Sequence, residues 1–135
     1  MDAETLILLA QARAAEKAQS LFYRALAADA EERGDDALSE RFNELHADEQ
    51  HHLSRLTARL MELGAPLEEL GGMKGEPARP GAWEADARAR EEAEVERYQA
   101  LAARPVDAHT AALLNEILET ERSHARELGG KWTLA

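Results

Sequence analysis

The sequence predicts an all-α chain: a four-helix bundle made of two helical hairpins joined by a long crossover connection. Three observations carry this prediction. Ala, Leu, Glu and Arg dominate and favour helix, while Val and Ile, the usual material of strands, are scarce. Apolar residues return at three- and four-residue steps in four separate segments. A single stretch rich in Gly and Pro, far longer than a turn, divides those segments into two pairs.

The first helix is expected over about residues 2–32, with Leu6, Leu9, Ala12, Tyr23 and Leu26 on its apolar stripe. Gly34 breaks it, and Asp35 or Asp36 can cap the next. The second runs to about Leu63 and carries Leu38, Phe42, Leu45, Leu53, Leu56 and Leu60. Gly64, Pro66, Gly71, Gly72, Gly75, Pro77, Pro80 and Gly81 punctuate the connection. The third helix is expected over about residues 83–103, ending before Pro105. Asp107 can cap the fourth, which ends near Leu128 ahead of Gly129 and Gly130. Residues 1–130 read as one domain and residues 131–135 as a short tail. Short turns imply antiparallel neighbours, and the long connection lets helices two and three run parallel, the ferritin-like arrangement.

A net charge of −11 disfavours nucleic acid, whose phosphates would be repelled. The absence of Cys excludes disulfides, thiolate catalysis, Fe–S clusters and Cys-ligated zinc. No stretch approaches the ~20 apolar residues of a membrane span. The opening Met1-Asp2-Ala3-Glu4 is acidic with no apolar run behind it, so no targeting peptide is expected and a cytoplasmic location is the default.

The chain also repeats itself. Residues 12–28 read ARAAEKAQSLFYRALAA and residues 87–103 read ARAREEAEVERYQALAA, identical at ten of seventeen positions. Glu16 falls on Glu91 and Tyr23 on Tyr98. Tyr23 precedes Glu49 by 26 residues and Tyr98 precedes Glu121 by 23, and each of these glutamates is followed three residues on by a histidine, His52 or His124. Residues three apart on a helix share a face, so Glu-x-x-His sets a carboxylate beside an imidazole. A lone match is weak in so Glu-rich a chain; correspondence between the two halves is the stronger signal.

Together, Glu16, Glu49, His52, Glu91, Glu121 and His124 match the four-carboxylate, two-histidine set of ferritin-like di-iron and di-manganese proteins. Four buried carboxylates are costly unless compensated, and two divalent cations bring +4 against −4. Carboxylate and neutral imidazole suit iron, with manganese an alternative.

These residues resemble the rubrerythrin group of the ferritin-like superfamily, from about Glu4 to Leu128. The first hairpin, with Glu16, Tyr23 and Glu49-Gln50-His51-His52, is the most similar part. The resemblance implies that Glu16 and Glu91 are terminal or chelating carboxylates, that Glu49 and Glu121 bridge two iron ions, and that His52 and His124 each face one. It further implies that Glu94, where the repeat has Gln19, is an added ligand that exchanges with His52 as the iron changes oxidation state. Whether Glu91 or Glu94 is the principal helix-three ligand stays open, with the repeat favouring Glu91. Without Cys there is no rubredoxin-like iron site, so electrons would come from an external donor.

The resemblance implies a peroxidase that reduces hydrogen peroxide. Iron binding or oxidation without turnover, dioxygen as oxidant, manganese catalase chemistry and a metal-free structural bundle are the other readings. Pairing of helix faces into a homodimer is an arrangement the resemblance allows. Tyr23 and Tyr98 are candidates for hydrogen bonds to the ligand carboxylates. His46, His51 and His109 are expected at the surface, Trp83 and Trp132 at helix ends, and Arg13, Arg55 and Arg88 in surface ion pairs.

Overall fold

The structure is a computed structural model and describes residues 1–128; the expected tail and Trp132 lie outside the described residues. It contains α1 (Ala3–Glu32), α2 (Asp36–Glu62), a 3-10 turn (Pro80–Ala82), α3 (Trp83–Ala102) and α4 (Ala108–Leu128), with no strand among the described residues. The sequence places every helix to within about a residue or two of these bounds. The 3-10 turn is an addition: Pro80 has no N–H to leave unbonded and a preset φ, so it opens a tight turn that runs straight into α3. No described helix is long and apolar enough to cross a membrane.

The chain divides into two compact units. One is Leu9–Trp83; the other joins Met1–Leu8 to the residues from Glu84 onward. The first unit is the α1–α2 hairpin with the connection folded back on it. Gly34 turns the chain with φ 76°, a conformation that costs glycine least. Asp35, rather than Asp36, then caps α2 by accepting from the Leu38 amide at 3.2 Å. Ser39 Oγ donates to the Ala27 carbonyl at 3.0 Å, His46 Nδ1 to Ser20 O at 2.9 Å, and Arg13 Nε to Thr57 Oγ1 at 2.7 Å. Partners rise along α2 as they fall along α1, which is antiparallel pairing.

Leu26, Phe42, Leu45, Leu56 and Leu60 are buried, each burial contributing about 1.5–3 kcal/mol. Phe42 stacks on Tyr23 with centroids 6.4 Å apart and meets the edge of Trp83 at 4.8 Å, which seats Trp83 at the start of α3. The connection is held as well as merely long. Arg13 Nη1 donates to the Glu68 carbonyl at 2.9 Å, and Leu70 is buried. Gly75 lies so close to α1 that a Cβ there would sit 3.0 Å from Leu21 Cβ and 3.3 Å from the Leu21 carbonyl oxygen.

In the second unit, Pro105 follows the end of α3 and Asp107 caps α4, accepting from the Thr110 amide at 2.9 Å and its hydroxyl at 3.0 Å. Arg88 Nε donates to the Leu128 carbonyl at 3.2 Å, joining the start of α3 to the end of α4. Arg104 Nε donates to Thr5 Oγ1 at 2.9 Å and fastens the first turn of α1 to this hairpin. Hydrogen bonds from Thr5 hold the Asp2 carboxyl below its ordinary pKa. Ala87, Tyr98, Leu101, Leu114, Ile117 and Leu128 are buried.

Two expectations change. Arg13 and Arg88 spend their N–H groups on a hydroxyl and on backbone carbonyls, of Glu68 within the connection and of Leu128 at the end of α4, oxygens that no helix bonds. His46 is half-buried and bonded to α1, whereas His51 and His109 are exposed as expected.

Candidate functional site

Each hairpin carries one triad of buried ionisable residues. In the first, Glu16 follows Leu9 and Ala12 along the buried stripe of α1, which continues to Tyr23 and Leu26. Glu49 and His52 lie between Leu45 and Leu56 on that of α2. These three- and four-residue steps turn all three side chains to the interior. Glu16 and Glu49 are fully buried, and His52 is 4% exposed. One ligand atom from each lies within 4.8 Å of the others. His52 Nδ1 is 3.6 Å from Glu16 Oε1 and 3.8 Å from Glu49 Oε1. His51, one residue away, projects to solvent.

In the second hairpin, Glu91 on α3 meets Glu121 and His124 on α4. Both glutamates are fully buried, His124 is 5% exposed, and their ligand atoms also lie within 4.8 Å of one another. His124 Nδ1 donates to Glu91 Oε2 at 3.1 Å and stands 3.2 Å from Glu121 Oε1. In both hairpins the imidazole turns Nδ1 to the carboxylates.

The donor set fits a metal ion. Each triad holds two carboxylates and one imidazole, a formal charge of −2 that one divalent cation cancels. Without such an ion, two buried carboxylates would cost several kcal/mol each. Oxygen and imidazole donors suit iron or manganese, and the chain has no thiolate to select a softer ion.

Glu94 is buried but belongs to neither triad; its Oε1 faces Arg97 Nε at 3.7 Å. The geometry thus groups Glu91, rather than Glu94, with Glu121 and His124. Tyr23 and Tyr98 are both completely buried, Tyr23 inside the Phe22–Phe42 aromatic cluster. Arg97 is a residue that sequence reasoning misses. The repeat holds the signal: Glu94 and Arg97 align with Gln19 and Phe22, so an acid–base pair three residues apart replaces a neutral pair.

The sequence model of the family described as Rubrerythrin matches residues 8–129. No curated protein gives a significant match to the chain.

Proposed function

The chain belongs to the rubrerythrin family, and on that premise we propose that it is a non-haem di-iron carboxylate protein that reduces hydrogen peroxide with electrons from an external donor. Its class is the all-α, four-helix, ferritin-like fold. The observation that carries the proposal is the pair of buried Glu/Glu-x-x-His triads at equivalent places in the repeat.

In this reading Glu16, Glu49 and His52, with Glu91, Glu121 and His124, hold two iron ions. When bound, the two ferrous ions supply the two electrons that one peroxide takes up. The protein's own part is positioning. Helical spacing aims His52 and His124 through Nδ1 and fixes the four carboxylates in a water-poor interior, where charge interactions are strong. Tyr23 and Tyr98 donate hydrogen bonds that orient ligand carboxylates. With iron bound, Glu94 would be a further carboxylate able to hold the ion that His52 faces, and would exchange with His52 as the oxidation state changed.

A second reading, iron binding or oxidation without peroxidase turnover, draws on the same buried carboxylate and imidazole donors. Manganese suits the same donors. Metal content after anaerobic ferrous loading and desalting tests the core of the proposal. Two irons per wild-type chain, lost in Glu121→Ala, are expected; a wild-type chain that retains neither iron nor manganese would make this a structural bundle. Stopped-flow mixing of the diferrous protein with peroxide then separates the two iron readings. Fast oxidation that Glu94→Ala slows supports the peroxidase. Loading well beyond two irons with no peroxide consumption supports storage.

A further inference from the structure

Glu94 is 6% exposed and sits one turn beyond Glu91 on α3, yet it stands outside the triad of its own hairpin. One charged contact of Glu94 lies on the same helix. Arg97, three residues on, brings Nε to 3.7 Å from Glu94 Oε1. The Arg97 side chain is 35% exposed, so the guanidinium reaches from solvent to a nearly buried acid. Its Nε is itself buried and makes no hydrogen bond, so the contact is a charge pair without a locked geometry.

The surroundings leave Arg97 room to move. It lines an open groove of about 340 Å³ together with Leu8, Ala93, Glu96, Ala100, Leu101 and Arg104, and Glu96 gives the guanidinium an acid to face there. Ala93 and Ala100, one turn to either side on the same face of α3, put no bulk in its way. The first hairpin has nothing comparable: Gln19 and Phe22 occupy the equivalent positions, and Phe22 is buried edge-on against Tyr23.

We propose that Arg97 is a positioning residue that holds Glu94 away from the metal-binding triad and sets how readily that carboxylate becomes a ligand. This rests on the di-metal reading above. The pair opposes ligation while the guanidinium stays, and favours it when the guanidinium swings into the groove and this contact is lost. An arginine that only neutralised a buried acid would affect stability and leave the metal's surroundings alone.

Cobalt(II) binding to the metal-free protein tests this, because its visible absorption reports coordination number and needs no turnover. Arg97→Ala and Arg97→Gln are expected to bind Co(II) about five- to tenfold more tightly, the scale of one partly buried ion pair, with weaker d–d bands as a further carboxylate joins. Arg97→Lys should stay near wild type. Glu94→Ala and Glu94→Ala/Arg97→Ala should match each other in affinity and spectrum. The proposal is overturned if the Arg97 variants keep wild-type affinity and spectrum, or if they shift them equally without Glu94. No Co(II) binding by the wild type would overturn the di-metal reading, and this inference with it. Arg97→Gln, which keeps a polar side chain of similar reach, covers the case in which Arg97→Ala does not fold.

Discussion

The two hairpins share one sequence skeleton and close it differently. In the first, His52 Nδ1 stands 3.6 and 3.8 Å from its two carboxylates; in the second, His124 Nδ1 stands 3.1 and 3.2 Å away and makes a hydrogen bond. Even Arg13 and Arg88, equivalent in the repeat, serve the same end in different ways. One braces Thr57 and the connection; the other caps the end of α4. Matching positions therefore keep Glu16 and Glu91, Tyr23 and Tyr98, and Leu26 and Leu101 facing inward. What differs is the set of neighbours: the first hairpin is packed by aromatics and the connection, the second by Leu101, Leu114 and Ile117, with the Glu94–Arg97 pair beside its triad. Helical periodicity is inherited with the repeat, whereas long side chains settle wherever local partners allow.

The comparison can be broken most severely at the triads. If the two are equivalent in function, Glu49→Ala and Glu121→Ala should both reduce retained iron to less than half of the wild-type value, measured by metal analysis. Retention by only one variant would show that the hairpins contribute unequally. Each variant should also melt higher than wild type when metal-free, since a buried carboxylate is gone. Each should lose the stabilisation that Mn(II) at about 100 times its Kd gives the wild type, about 2.7 kcal/mol.

Core packing is the next largest effect. Phe42 and Leu114 are equivalent by the Glu-x-x-His alignment, and both are essentially inaccessible. Phe42→Ala should cost about 3–5 kcal/mol in denaturant unfolding and Leu114→Ala about 2–4. The larger loss falls in the first hairpin because Tyr23 and Trp83 both rest on Phe42. Equal losses would mean that the aromatic cluster adds nothing beyond volume.

Smaller effects mark the connection and the caps. Gly75→Ala should destabilise by about 1 kcal/mol, because the new Cβ meets the backbone of α1. It should also speed proteolysis within residues 63–79. The second hairpin has no counterpart to this site. Asp35→Ala and Asp107→Ala should each cost about 1 kcal/mol. Asp107 should cost the more, since it takes two bonds from Thr110 where Asp35 takes one longer bond. Thermal unfolding of the pair of variants gives that order directly.

Much of the fold and of the candidate site is legible in the amino-acid string. Spacing and repeat mark Glu16, Glu49, His52, Glu91, Glu121 and His124, and all six are buried. Gly34, Pro105 and Asp107 mark helix ends. What is not legible is where a side chain comes to rest among several partners within reach. Two adjacent aspartates could each cap α2, and only Asp35 has its side chain over the Leu38 amide. His46 reads as a surface residue, yet α1 offers it the Ser20 carbonyl.

By itself, then, the sequence determined four helices in two similar hairpins, which residues line each buried stripe, and the carboxylate–imidazole character of the candidate ligands. Those properties follow from spacing along one helix, which a linear string encodes. Only the tertiary structure decided that Glu91 rather than Glu94 joins Glu121 and His124, that His46 meets the Ser20 carbonyl, and that Arg13 pins the connection to its hairpin. Those outcomes depend on where long, flexible side chains find partners far along the chain or free space beside them, and that is set by packing in three dimensions.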